Sequence, residues 1–303
     1  VTGRVAFATT SAGWVCDADV DRPLHEAACA VVGIDLDHRN WSDPEVAWNE
    51  YDLVVVRSTW DYLARLDDYR TWLRRVGALG ILHNPAPVID WNLDKRYLLD
   101  LAAAGVPVVA TAVCDSREAV ADALAALDGE TVVKPVVSAG SQRTGRFASG
   151  DPAASALAHE ILDAGTGVLV QPAVASVSTR GEVSALVFGG EFSHAARKGP
   201  ILRLGGGQVG GSYTERLTPE VLTASQRSVV DAASTAVGRL VADRFGITRP
   251  LLYARFDLVT RDDGTDAVLE AELAEPAFFL PADPSAADRF AVLLQDRLET
   301  ATS

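Results

Sequence analysis

A chain of 303 residues, 48% hydrophobic and 22% charged, has material for two or three packed units with a sizeable core. Its net charge of −14 argues against a nucleic-acid partner, which needs a basic face, though a few local Lys and Arg residues suffice for a small phosphate ligand. Three cysteines without metal spacing (Cys16, Cys29, Cys114), no apolar run of membrane-span length and no basic-then-apolar leader together suggest reduced thiols in a cytoplasmic protein.

Residues 5–8 are a short apolar strand that runs into a polar loop at 9–13. Helical spacing follows over 24–32, and 34–36 reads as a second strand. Residues 53–56 (LVVV) are continuous and β-branched, as in a parallel strand covered on both faces. They end in Arg57, Ser58, Thr59, Trp60, Asp61 and Tyr62. Ligands of open parallel sheets sit beyond the carboxyl ends of the strands, so Arg57, Ser58 and Thr59 form a candidate carboxylate-binding corner. The alternative is a helix cap made by Ser58 or Thr59, with Trp60 in the core. A helix over 69–76 and a strand with its turn at 80–85 complete a small α/β unit.

Residues 92–104 read as one helix carrying Lys95, stopped by Gly105 and Pro107. An extended run at 108–113 precedes an amphipathic helix over 117–127, for which Ser116 is the expected cap. Strand 131–137 (TVVKPVV) contains Lys134, and an ammonium inside an apolar strand needs an anion to face. The loop that follows, 138–146 (SAGSQRTGR), is built for close approach of backbone amides to phosphate. A strand at 167–174 runs into a loop at Pro172. Residues 181–188 and 192–197 then pair about Gly189-Gly190, leading to Arg197, Lys198 and a long Gly-rich loop over 199–211. His194 reads as a packed strand histidine. A long helix occupies 222–245, and Ser285 opens the last one.

Between those helices lies 251–276 (LLYARFDLVTRDDGTDAVLEAELAEP), two β-rich runs around the turn cluster Asp262-Asp263-Gly264-Thr265. Tyr253, Arg255 and Asp257 alternate with Ala254, Phe256 and Leu258, as Glu270 and Glu272 do with Leu269, Ala271 and Leu273. Pairing the runs gathers Asp257, Glu270 and Glu272 on one face with Arg255. Two carboxylates about 4 Å apart repel by roughly 4 kcal/mol at an effective dielectric near 20. Such a face calls for a cation, and Mg²⁺, which takes one or two carboxylates plus phosphate oxygens and water, suits it. The plainer alternative is a solvated strand face. On the repulsion argument, neutralising Glu270 should stabilise the metal-free chain or leave it unchanged.

These parts in this order resemble the ATP-grasp superfamily of carboxylate ligases. The resemblance spans the whole chain in architecture and about residues 90–280 in motif. The segments RSTWDY, WNLDKRYL and ELAEPAFFL are further similar to the D-cycloserine ligase branch of antibiotic biosynthesis. The resemblance implies a mixed α/β (α+β) fold: a Rossmann-like N-terminal domain (1–88), a lid with the ATP-binding lysines (89–175) and a C-terminal sheet domain (176–303). It implies that Lys95 and Lys134 bind phosphates and that Arg255 meets the transferred phosphoryl group. Ser138, Gly140 and Ser141 would belong to a clamp over the nucleotide. Gln171, Pro172, Ala173 and Val174 would form the adenine hinge, with Glu182 near the ribose or substrate. Arg57, Ser58, Thr59, Arg197 and Arg255 would hold the substrate, and Asp257, Glu270 and Glu272 would bind metal. Glu272 stands where the family has Asn, and Glu275 competes with it as third ligand.

The implied partners are ATP as co-substrate, two Mg²⁺ ions that Mn²⁺ could replace, and a small amino-acid-like carboxylate, in a chain compatible with a homo-oligomer. The implied reaction forms an acyl phosphate that an amine or amino-oxy nitrogen attacks, releasing ADP and phosphate, with ring closure to D-cycloserine in that branch. The alternatives are an intermolecular amino-acid or peptide ligase and a non-catalytic nucleotide-binding regulator.

Overall fold

The computed structural model describes residues 3–140, 142–199 and 217–301, the last residue by its backbone alone. Strands β1 (Arg4–Thr9), β2 (Asp35–Asn40), β3 (Leu53–Val56) and β4 (Leu82–His83) form a parallel sheet in the order β2-β1-β3-β4. Alternation along β1 and β3 divides its faces. Val5, Phe7, Leu53 and Val55 pack with Ala28 and Cys29, and the opposite residues Ala6, Ala8, Val54 and Val56 meet Trp41, Trp48, Tyr69 and Trp72. Covered on both sides, β3 needs no polar residue, which is why LVVV has none. Around this sheet lie α1 (Gly13–Ala18), α2 (Arg22–Val31), α3 (Leu66–Gly77) and α4 (Ala86–Leu93).

The single helix expected over 92–104 is broken. Helix α5 (Tyr97–Ala103) starts afresh, and Lys95 sits in the gap. The Lys95 amide donates to Val136 O (2.8 Å) and the Arg96 amide to Asp94 Oδ1 (2.9 Å), so neither continues α4.

A second sheet, in the order β5-β8-β6-β7, is antiparallel: β5 (Ala112–Cys114), β6 (Thr131–Pro135), β7 (Gly145–Phe147) and β8 (Val168–Pro172). Helices α6 (Arg117–Ala125) and α7 (Pro152–Asp163) cover it. Ser116 caps α6 as expected, accepting from the Ala119 amide at 3.1 Å. The run at 108–113 divides: only its end joins β5, while Val109 N and Pro107 O bond to Val268 instead.

The third sheet runs β11-β10-β9-β12-β13, all antiparallel: β9 (Glu182–Phe188), β10 (Glu191–Lys198), β11 (Leu217–Glu220), β12 (Tyr253–Thr260) and β13 (Asp266–Glu272). Helix α8 (Ala175–Arg180) leads into it. Helix α9 (Ala224–Phe245) begins with a Thr223–Gln226 capping box and ends at Gly246 in the left-handed region. Its Val229, Val230, Ala233, Val237 and Val241 cover Val183, Ala185, Val187, Ala254, Phe256 and Leu258. Helix α10 (Ser285–Ala301) closes the chain; its Phe290 and Leu294 pack with Phe188 and with Val5 and Phe7 of β1. Of the Gly-rich loop expected at 199–211, all but Gly199 lies outside the described residues.

Side chains close the outer edge of β13. Asn92 Nδ2 donates to Ala271 O (2.9 Å), Asn92 Oδ1 accepts from Leu273 N (2.7 Å), and Tyr97 Oη accepts from Ala271 N (3.0 Å). Just beyond, Asn84 Nδ2 donates to Leu273 O and Tyr253 O, both at 2.9 Å, and its Oδ1 accepts from Leu252 N (2.7 Å). Sequence reasoning passed over Asn84, Asn92 and Tyr97. The available signal was Asn92 at i+4 and i+3 from Val88 and Ile89, on the apolar face of α4.

Candidate active site

The face of the third sheet opposite α9 gathers the candidate carboxylates and Arg255. Strand β12 lies between β9 and β13, pairing Asp257 with Ser184 on one side and Glu270 on the other, and Arg255 with Glu272. The alternation therefore does bring Asp257, Glu270 and Glu272 together beside Arg255. Both faces of β12 are buried, however, so this polar face is not a solvated one.

Each carboxylate already has a cation. Arg255 Nε and Nη2 donate to Asp257 (3.0 and 3.1 Å), and Nη2 also donates to Glu272. Asp257 further accepts from Ser184 Oγ (2.6 Å) and from Lys198 Nζ (2.7 Å), whose second partner is Glu182 at 2.8 Å. Lys95 Nζ bonds Glu270 Oε1 (2.9 Å) and Ser138 O (2.6 Å). Burial pushes the Asp257 carboxyl up, but Arg255 and Lys198 outweigh it and hold the group well below the carboxylate range. The balance is similar at Glu270, where Lys95 and Lys134 outweigh burial. At Glu272 burial wins over Arg255 and pushes the group up, and burial raises Glu275 to about 7. At Asp257 and Glu270 the repulsion expected from the sequence is thus relieved by the chain's own basic groups, whereas at Glu272 the neighbouring carboxylates still add to burial.

Lys134 differs from the other cations. It is buried, burial lowers its pKa, and its ammonium makes no hydrogen bond or ion pair with a described residue. An unpaired ammonium in such a place wants an anion.

Among the described residues, no three His, Cys, Asp or Glu side chains converge as a preformed metal cage. The donor set nevertheless fits Mg²⁺. Glu270 and Glu272 keep side chains 25% and 29% exposed, so each has oxygen surface to offer to an ion completed by phosphate and water.

Other sequence-derived candidates fall elsewhere. Arg57 turns inward: Nη1 donates to Pro276 O (2.9 Å), Nη2 approaches Asp21 (3.5 Å), and the guanidinium lies 3.4 Å from the Phe278 ring centroid. Ser58 Oγ donates to Asp19 (2.6 Å), and Thr59 Oγ1 bonds Tyr69 Oη (3.1 Å). All three are buried and face packed residues of the fold, so the corner is not the open one expected. Arg197 lies across β10 from the cluster, on Glu220 (2.6 Å) and Arg180 O (3.1 Å). Its neighbour Lys198, passed over in the sequence, is the inward residue, set opposite Glu182.

Gln171 bonds Thr111 Oγ1 (2.9 Å) within the second sheet, Pro172 pairs with Thr131, and the Ala173 amide donates to Glu130 O (2.8 Å). Val174 packs with Val109, Val259 and Ala267. Gly140 has φ +57 with open space where a Cβ would stand, and Ser141 lies outside the described residues. No described helix is long and apolar enough to cross a membrane.

Comparison with known proteins gives the family and the fold. Residues 5–84 match the family described as D-cycloserine synthetase DcsG, N-terminal domain. The cycloserine biosynthesis protein DcsG of Streptomyces lavendulae is 37% identical over 312 residues, covering 98% of this chain and 99% of the relative. The crystal structure of D-cycloserine synthetase DcsG superposes with a TM-score of 0.89 at 36% identity, covering 98% of this chain and all of that one (100%). The D-alanine–D-alanine ligase of Bacillus anthracis, complexed with ATP, shares the fold at a TM-score of 0.68 and 16% identity, covering 99% and 98% of the two chains. The mixed α/β chain belongs to the ATP-grasp superfamily of carboxylate ligases, in the branch of the D-cycloserine ligase.

Proposed function

We propose that the protein closes D-cycloserine from its open amino-oxy acid, β-amino-oxy-D-alanine, at the expense of ATP. A substrate carboxylate oxygen forms a bond to the γ-phosphorus as the bond to ADP breaks. The amino-oxy nitrogen of the same molecule then forms the C–N bond as the acyl C–O bond breaks, and phosphate leaves with the proton that nitrogen loses. Lys134 and Lys95 hold phosphates, and Arg255 meets the oxygens of the transferred group. Ser138 and Gly140 cover the nucleotide, residues 171–174 border adenine, and Glu182 with Lys198 lines the ribose or substrate side. Asp257, Glu270 and Glu272 would hold Mg²⁺, two ions by our reading with Mn²⁺ able to substitute, which neutralises charge on the phosphates. Excluding water protects the acyl phosphate from hydrolysis.

The observation that carries the reading is Lys134, a buried cation whose ammonium has no direct hydrogen bond or ion pair with a described residue and whose foremost charge support is Glu270. The three sheets support the division 1–88, 89–175 and 176–303. Three cysteines outside any disulfide accord with a cytoplasmic site of action. The test is ADP and phosphate release from Mg-ATP and β-amino-oxy-D-alanine, with the cyclic product followed by mass spectrometry. AMP and pyrophosphate as products would exclude the mechanism. ADP release that awaits a second amine would indicate an intermolecular ligase.

A further inference from the structure

We infer that Asp21, the residue before α2, is a positioning residue for Arg255 and acts through the backbone of residues 276–280. It lies far from Arg255 in sequence and is almost fully buried. Its two carboxylate oxygens accept from two amides of that segment, Phe278 N to Oδ2 at 2.6 Å and Leu280 N to Oδ1 at 2.8 Å.

The two amides flank Phe279, a non-glycine residue held at φ +54. Such a conformation is strained for an aromatic residue and persists only where surrounding contacts impose it. Asp21 imposes it by drawing both neighbouring amides onto one carboxylate. The bend sets the Phe279 ring against the Arg255 guanidinium, 4.9 Å from the ring centroid, and leaves Ala277 O to accept from Arg255 Nη1 at 3.1 Å. Two holds on Arg255 therefore come from the segment that Asp21 shapes, beside those from Asp257 and Glu272.

Other side chains fix the same segment. Trp60 Nε1 donates to Glu275 O (2.9 Å), Arg57 Nη1 to Pro276 O (2.9 Å), and His194 Nε2 bonds Phe278 O (2.7 Å). Arg57, near Asp21 and over the Phe278 ring, completes a buried brace from the first sheet to the third. This gives RSTWDY a purpose its inward orientation left open: Arg57 and Trp60 hold the segment, and Asp21 sets its bend.

The inference rests on the reading of Arg255 as the group that meets the transferred phosphoryl. Its test is a double-mutant cycle of Asp21→Asn with Arg255→Lys, read as ADP release from Mg-ATP and β-amino-oxy-D-alanine. Asp21→Asn keeps the shape and loses the charge and one acceptor, so kcat should fall on the order of 10- to 100-fold, as for a misplacement remote from the chemistry. The KM for ATP should stay within about two-fold, because ground-state nucleotide binding is untouched. If Asp21 acts through Arg255, the double variant is no slower than Arg255→Lys alone.

Additive losses, or an Asp21→Asn enzyme of wild-type kcat, would overturn the inference. Should Asp21→Asn fail to fold, Asp21→Glu replaces it in the cycle. That change keeps the charge, displaces the two acceptors from the Phe278 and Leu280 amides, and should show the same non-additivity. A wild type that releases no ADP with this substrate refutes the functional reading itself; an active wild type with additive variants refutes only the role of Asp21.

Discussion

Glu270→Gln separates two accounts of the carboxylate face. If the face were held only by metal, removing one negative charge would relieve repulsion and raise the melting temperature of the metal-free protein. The geometry gives the opposite sign. Glu270 bonds Lys95 at 2.9 Å and is the foremost charge favouring the ammonium of Lys134, so the substitution leaves two buried cations short of a counter-charge. Breaking a buried pair on one side costs about 3–5 kcal/mol, but solvent screens a carboxylate 25% exposed and the amide still accepts from Lys95, so about 1–2 kcal/mol is the expected loss. For a chain of this size that is a fall of roughly 2–3 °C in Tm. The assay is thermal unfolding with and without Mg-ATP, beside turnover. Near-zero turnover, a lower metal-free Tm and a smaller rise on adding Mg-ATP are expected. A metal-free Tm at or above wild type would refute the reasoning, because Lys95 and Lys134 would then not depend on Glu270.

Other perturbations test separate parts. Lys134→Met should leave the Tm unchanged or higher, since it removes a desolvated charge, yet weaken ATP binding in calorimetry about 10- to 100-fold, the worth of one charge-assisted hydrogen bond; an unchanged Kd would detach Lys134 from the nucleotide. Asn92→Ala should cost about 3 kcal/mol in urea unfolding, from the Leu273 amide and the Ala271 carbonyl left buried and unpaired, less a small gain in helix propensity. A loss under about 0.5 kcal/mol would show that another group takes over the edge. Burial, and then Arg22, holds the His38 imidazole down to about 4. The unfolded chain therefore binds more protons as pH falls from 6.5 towards 4, and His38 lowers stability over that window by up to about 1.4 kcal/mol per pH unit. The stability of His38→Gln minus that of wild type should rise with that slope on acidification. A pH-independent difference would place His38 outside the titration.

The elements legible in the sequence were those whose faces repeat regularly. The two runs around Asp262-Asp263-Gly264-Thr265 alternate cleanly, and the hairpin brings Asp257, Glu270 and Glu272 together as read. Strand β10 shifts its register against β9 between Phe192 and His194, which no residue pattern in the sequence marks. An irregularity there changes which later side chains face inward, and it is Lys198 that reaches Asp257 while Arg197 reaches Glu220. The RSTWDY corner was located correctly at a strand end but misread in direction. What turns Arg57 inward is Asp21 and the carbonyl of Pro276, neither near it in sequence. The helix carrying Lys95 breaks for a similar reason: Val136 O, far along the chain, takes the amide that would have continued it.

The closed edge of β13 has a consequence for how the chain can be divided. A strand whose outer amides and carbonyls are bare is a template for any other extended chain, and proteins blunt such edges to stay unassociated. Here the blunting groups are Asn84, Asn92, Tyr97 and residues 107–109, all of which precede the second sheet. A fragment beginning after residue 109 would keep every strand of the third sheet and lose the cover on its edge. Such a fragment would add strands from its own copies and precipitate, while one beginning at residue 84 would carry its own seal.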